Sequence, residues 1–258
     1  MFTVWFIGTA GSGKSTLVNA FSNWLSDHEL SNITVNLDPG ASWLPYGPDV
    51  DVRDYVNVEN VMKDYNLGPN GALIAATDMI AAHIEQIKEE IVNLEADYAI
   101  IDTSGQMEVF AFRNVGPYIV STLSAERSCV VYLIDSIFVE RPSNLVSALL
   151  LATSVHYRLL KPQVNVLSKS DLVSKERLQQ VINWLNNPED FIDAVGKETY
   201  GLNREVSQRV CRMLAEMEAF PEPIPVSAKR EEGLEELYGL IQRVVAGGGE
   251  ETVELYKL

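Results

Sequence analysis

Cysteine, basic residues and long apolar runs are all in short supply in this sequence. The two cysteines, Cys129 and Cys211, are too few for a disulfide framework, and no CxxC or Cys/His cluster offers a zinc site. Cys129 lies inside the apolar stretch SCVVYLI and reads as a buried thiol. Lys and Arg number 20 against 36 Asp and Glu, a formal net charge of −16. Neutralising the phosphates of a nucleic acid needs clustered cations, which argues against a general nucleic-acid-binding surface. An acidic surface leaves two readings open, solubility or a basic partner. Apolar runs such as LVSALLLA (145–152) fall well short of the roughly 18 residues that a membrane helix needs. No cationic region precedes the apolar start, and a glycine-rich loop follows it too soon for a signal peptide. These absences point to a cytoplasmic protein with neither membrane nor nucleic acid as a direct partner.

What is present is ordinary globular material. The 258 residues are 47% hydrophobic and 22% charged, enough for one large α/β domain, without repeats or low-complexity tracts. Short apolar runs at 2–7, 33–37, 98–102, 129–135, 162–167 and 223–227 read as strands buried on both faces. Segments with helical spacing lie between most of them, at 15–29, 71–94 and 142–160. The alternation predicts an α/β fold of three layers, a mostly parallel central sheet flanked by helices, over a single domain at 1–245. Residues 38–70 carry prolines 39, 45, 48 and 69 and no convincing strand, so they read as a long functional loop and a short helix. Residues 174–220 read as a helical insertion, and 246–258, opening on three glycines, as a flexible tail.

The stretch GTAGSGKST (8–16) fits G-x-x-x-x-G-K-[ST] at Gly8, Gly13, Lys14 and Ser15, between a strand and a helix. Its glycines let the N–H groups of Gly11, Ser12, Gly13 and the residues through Thr16 curl inward around a β-phosphate. Lys14 adds a point charge between β- and γ-phosphates. Ser15 offers a hydroxyl to Mg²⁺ at a helix N-terminus that itself favours anions. A magnesium site needs a second anchor at the end of a neighbouring strand, and YAIIDTSGQ supplies Asp102 with Gly105 three positions on. The Gly105 N–H is placed to bond the γ-phosphate and sense its loss, and Gln106 stands where a water-positioning amide belongs.

The base is read further along. After the strand PQVNVL comes SKSD, where guanine readers usually carry N-K-x-D. Asp171 would accept from the guanine N1–H and amine, and Lys169 would stack on the ring. Ser168 replaces the usual asparagine, and its shorter side chain predicts weaker ordering of this loop on the phosphate loop. PVSAK then places Ser227, Ala228 and Lys229 where a backbone N–H meets the guanine O6. Four motifs in this order read as GTP, with GDP as product. A P-loop ATP-dependent phosphotransferase or ligase, and a GTP-binding module that does not hydrolyse, remain the alternatives.

With GPN at 68–70 directly before GALIAATDMIAAHIEQI, the chain resembles the GPN-loop GTPases, dimeric P-loop GTPases of archaea and eukaryotes. The resemblance covers residues 1 to about 240 and includes GTAGSGKST, VNLDPG, DVRD, GPNGA, DTSGQMEVF and SAK. It implies a homodimer in which Gly68, Pro69 and Asn70 reach the partner's phosphate region, with Asn70 acting in trans. It also implies that Asp38 contacts the Mg²⁺ shell or the attacking water, and that Gln106 and Glu108 orient that water. Glu108 equally fits a first-turn carboxylate favoured by the helix dipole. Arg53 in DVRD is either a catalytic finger or the partner of Asp51 or Asp54. The eukaryotic relatives are linked to RNA polymerase II assembly and nuclear import, which makes polymerase subunits or assembly factors candidate partners.

Overall fold

Alternation along the first strand sets up the layers. Val4 and Phe6 of β1 (Phe2–Gly8) are fully buried on one face of the sheet, and Trp5 and Ile7 on the other. A strand apolar on both sides needs helices above and below it. The computed structural model describes residues 1–216 and 223–255, apart from the side chains of Glu108 and of residues 246–255.

The chain runs on through α1 (Lys14–Asp27), β2 (Asn32–Leu37), β3 (Val50–Asp51), α2 (Val58–Asp64), α3 (Pro69–Asn93), β4 (Tyr98–Thr103), α4 (Met107–Phe110) and α5 (Val115–Leu123). It continues through β5 (Arg127–Asp135), α6 (Pro142–Leu159), β6 (Gln163–Ser168), α7 (Lys175–Asn186), α8 (Pro188–Glu198), α9 (Gly201–Glu216), β7 (Ile224–Val226) and α10 (Leu234–Leu255). The strand order is β3-β2-β4-β1-β5-β6-β7, and every pairing is parallel.

Leu17 and Phe21 of α1 and Leu237 and Ile241 of α10 close one face over Val4 and Phe6. The other face is covered by α3, α5 and α6. In α3 the residues Ala72, Ala76, Ile80, Ile84, Ile87 and Ile91 recur at helical spacing and all turn inward. The expected insertion is three helices, α7 to α9, seated on this second core through Val181, Trp184, Phe191, Val195 and Cys211. Cys129 is buried as expected, and burial pushes its thiol up to about 12 and that of Cys211 up to about 11. Among the described residues no helix is long and apolar enough to cross a membrane.

One expectation is corrected. The 38–70 segment does contain a strand, the two-residue β3, which pairs with Val35 and Asn36 at the sheet edge. It is too short to leave a period in the sequence. The backbone of α10 runs helical to Leu255.

Candidate functional site

Parallel strands bring their C-terminal ends to one edge, and the crevice lies where neighbouring strands send their connections to opposite faces. Here that point is β1, flanked by β4 and β5. The loop after β1 turns on Gly11 (φ 75°) and Gly13 (φ 92°), left-handed conformations that glycine adopts without steric cost. Gly8 is needed for a second reason: a Cβ there would lie 2.8 Å from Ser12 Oγ and 2.9 Å from the Leu133 carbonyl. The loop is thus pressed against β5.

Lys14 is buried under this loop and its Nζ donates to the carbonyls of Gly8 (3.0 Å) and Thr9 (3.1 Å). Burial lowers its pKa, while the charges of Asp102 and Asp38 work against that shift. The Ser12 hydroxyl is buried and has no hydrogen-bond partner among the described residues, and Thr16 is exposed. Asp102, at the end of β4, is almost wholly buried. Burial pushes its carboxyl up to about 6, opposed by the Ser15 and Tyr46 hydroxyls and the Lys14 charge. Its Oδ2 accepts from the Tyr46 hydroxyl at 3.0 Å, and its Oδ1 has no hydrogen-bond partner among the described residues. A buried carboxylate oxygen without a partner among the described residues, on a carboxyl that the Ser15 hydroxyl also influences, suits a hard cation that takes oxygen donors and keeps most of its shell as water and phosphate. The described residues contain no cluster of three or more His, Cys, Asp or Glu that could cage a metal unaided. The residues present therefore fit Mg²⁺ brought with a nucleotide.

Asp38 follows β2. Its Oδ1 accepts from the Gly40 N–H (2.9 Å) and its Oδ2 from the Gly105 N–H (3.3 Å). The Gly105 donor, expected to face a γ-phosphate, is thus taken by a carboxylate oxygen standing in for one. Gln106 caps α4 with its N–H on Ser104 Oγ at 3.3 Å. Glu108 falls in α4, but its side chain lies outside the described residues. Gly68, Pro69 and Asn70 are exposed at the start of α3, and Asn70 makes no side-chain hydrogen bond among the described residues. Arg53 resolves in favour of structure: it chelates Asp51 (Nη2–Oδ2 2.5 Å) and donates to the Ala41 carbonyl (2.9 Å).

On the other side of the loop, Ser168 corrects the expectation of weaker ordering. Its hydroxyl donates to the Ser12 carbonyl at 2.8 Å, with the Ile134 carbonyl at 3.2 Å, so it ties β6 to the phosphate loop without an amide. Lys169, left-handed at φ 56°, lays its stem over Gly13 and pairs with Asp135 (2.7 Å). Asp171 Oδ1 accepts from the Ser227 hydroxyl at 2.7 Å, so SKSD and SAK meet although they are far apart in sequence. Ala228 is half-buried and Lys229 exposed beyond it.

Four motifs gathered on one sheet edge, with an exposed GPN beside them, match a known pattern. A family model described as "Conserved hypothetical ATP binding protein" matches residues 6–247. The chain is 34% identical over 234 residues to GPN-loop GTPase PAB0955 of Pyrococcus abyssi, covering 90% of this chain and 92% of that protein. It belongs to the GPN-loop GTPase family. The apo crystal structure of PAB0955, titled a GTPase, superposes with a TM-score of 0.84 at 32% identity, covering 94% of this chain and 96% of that one. GPN-loop GTPase 1 of Dictyostelium discoideum is 31% identical over 90% of this chain, which spans 58% of that longer relative.

Two members of this GPN-loop site were not found from sequence. Asp135 ends an apolar strand as Asp102 does, a signal that was available. Tyr46 sits among Pro45, Gly47 and Pro48, where no periodicity marks an inward side chain.

Proposed function

We propose that the protein is a cytoplasmic GTP-hydrolysing switch that works with Mg²⁺ as a homodimer. The observation that carries the base assignment is the Asp171–Ser227 contact, held against the phosphate loop through Ser168 and Ser12. A carboxylate at that place favours a base edge that donates, which guanine has and adenine lacks. The ATP in the family description has no such support, and the relatives carry GTPase in their names.

Gly11, Ser12, Gly13, Lys14, Ser15 and Thr16 would cradle the phosphates, with Lys14 exchanging the Gly8 and Thr9 carbonyls for phosphate oxygens. Bound Mg²⁺ would neutralise charge developing on the β- and γ-phosphates, held by Ser15 and by Asp102 and Asp38 through its waters. A γ-phosphate would take the Gly105 N–H from Asp38 Oδ2. The freed Asp38 carboxylate would then orient the attacking water with Gln106 and Glu108, and Asn70 would enter from the partner subunit. Loss of γ-phosphate would return Gly105 to Asp38, which gives the switch its readout. Subunits or assembly factors of a larger complex, RNA polymerase among them, are the proposed partners.

Phosphate release measured with GTP, ATP and xanthosine triphosphate tests the reading. Wild-type protein is expected to turn over GTP, and Asp171→Asn to lose about 10- to 100-fold in GTP selectivity while gaining xanthosine triphosphate. Equal turnover of ATP and GTP would overturn the base assignment.

A further inference from the structure

Asp102 has two carboxylate oxygens in different situations. Among the described residues Oδ1 is buried without a hydrogen-bond partner, and Oδ2 accepts from the hydroxyl of Tyr46, 56 residues earlier in the chain. Tyr46 packs its ring against the core beneath α1 and α10. The segment carrying it is pinned on both sides. Arg53 holds the Ala41 carbonyl at 2.9 Å, and Asp49 Oδ2 accepts from the Thr34 N–H (2.7 Å) and hydroxyl (3.1 Å). The same segment begins at Asp38, whose Oδ2 takes the Gly105 N–H. One hydroxyl thus joins the loop bearing Asp38 to the carboxylate at the end of β4.

We infer that Tyr46 is a positioning residue for the Mg²⁺ site: it occupies one oxygen of Asp102 so that the other faces the cation's shell, and it couples that site to the 38–49 loop. Outer partners of this kind fix a ligand's orientation, and their loss typically weakens metal affinity 10- to 100-fold. The ring packing explains why tyrosine fits here better than a shorter donor. The hydroxyl alone makes the contact with Asp102, so removing it leaves the packing in place.

The inference rests on the nucleotide–Mg²⁺ reading, and the experiment separates the two. GDP affinity is measured in EDTA and across a MgCl₂ titration for wild type and Tyr46→Phe. The expected result is an unchanged affinity in EDTA and about a tenfold higher Mg²⁺ midpoint for Tyr46→Phe. If GDP binding to wild type ignores Mg²⁺, the underlying reading fails. If wild type responds and the Tyr46→Phe midpoint is unchanged, or affinity in EDTA falls in parallel, the role given to Tyr46 is overturned. A second readout needs no variant at Tyr46. Trp43, 75% exposed on the same loop, is expected to change its emission when Mg²⁺ joins the GDP complex, isolated by subtracting a Trp43→Phe control from the four-tryptophan signal. A Trp43 signal indifferent to Mg²⁺ would equally sink the coupling.

Discussion

At the residue scale, the site stores an electrostatic cost. Asp102 is charged at neutral pH although burial pushes its carboxyl up to about 6. A carboxyl whose folded pKa is raised binds its proton more tightly in the folded state. Its contribution to stability is therefore full below the ordinary value near 4 and is lost as pH rises through about 6. Asp102→Asn removes the charge and keeps an oxygen for Tyr46. It is expected to stabilise the protein free of metal and nucleotide by about 2–3 kcal/mol at pH 7, while abolishing the Mg²⁺-dependent gain in nucleotide affinity. Thermal melts from pH 4 to 8 check this, and a variant that melts below wild type at pH 7 contradicts it. Lys14, Ser15, Asp102 and Asp171 stand out in the sequence because the proposed phosphate, cation and base would each demand one residue type at fixed spacing. Tyr46 was not, because a single inward hydroxyl in a proline-rich loop obeys no spacing. Ser168 was seen but misjudged. Its reach to the Ser12 carbonyl depends on how closely β6 approaches the phosphate loop, a distance set by the sheet.

At the scale of elements, the end of β2 and the edge strand β3 act as a frame for the loop that begins at Asp38. Asn36 Nδ2 donates to Asp51 Oδ1 (2.9 Å), Arg53 chelates Asp51, and Arg53 holds Ala41. Burial raises the Asp51 pKa, but the hydrogen bonds from Arg53 and Asn36 outweigh it and leave the carboxyl below its usual value. A depressed carboxyl contributes stability that is present above about pH 4 and lost as pH falls below it. Arg53→Ala should therefore cost about 2 kcal/mol at pH 7 for a charge-assisted, partly buried pair. In urea melts the difference from wild type should shrink below about pH 4, and turnover should fall because the loop bearing Asp38 loosens. A constant difference across that range would mean the pair is not what the frame relies on. The long helices and six of the seven strands were legible from periodicity within a residue or two, because both faces of a buried strand and one stripe of a helix must be apolar. Of the frame only the Arg53–Asp51 pair was among the expected readings, since the Asn36–Asp51 and Arg53–Ala41 contacts join positions 15 and 12 residues apart through side chains.

At the scale of the whole molecule, the proposed homodimer turns on which subunit's nucleotide Asn70 would serve. The tripeptide is exposed, yet α3 also runs beside the loop that begins at Asp38 in the same chain: a Cβ at Gly40 would lie 2.9 Å from Leu73 Cδ1, one turn beyond Asn70. Proximity within the chain therefore does not decide between action in cis and in trans, and a mixing experiment does. If Asn70 acts on the partner's nucleotide, a hybrid of one Asn70→Ala and one Lys14→Ala subunit contains one site with both defects and one site with neither. The intact site combines Lys14 from the Asn70→Ala chain with Asn70 from the Lys14→Ala chain. Two inactive homodimers mixed at equal amounts would then regain about a quarter of wild-type turnover, since half the dimers are hybrids and each has one sound site. If Asn70 acts within its own chain, every hybrid site has one defect and mixing restores nothing. Exchange must be allowed to go to completion. Each chain carries a net charge of −16, so two copies repel one another at low salt, and association is expected to strengthen as added salt screens that repulsion. Mixing near physiological ionic strength, with subunit exchange followed by mass, makes a failure to recover activity a result against action in trans rather than a failure to form hybrids.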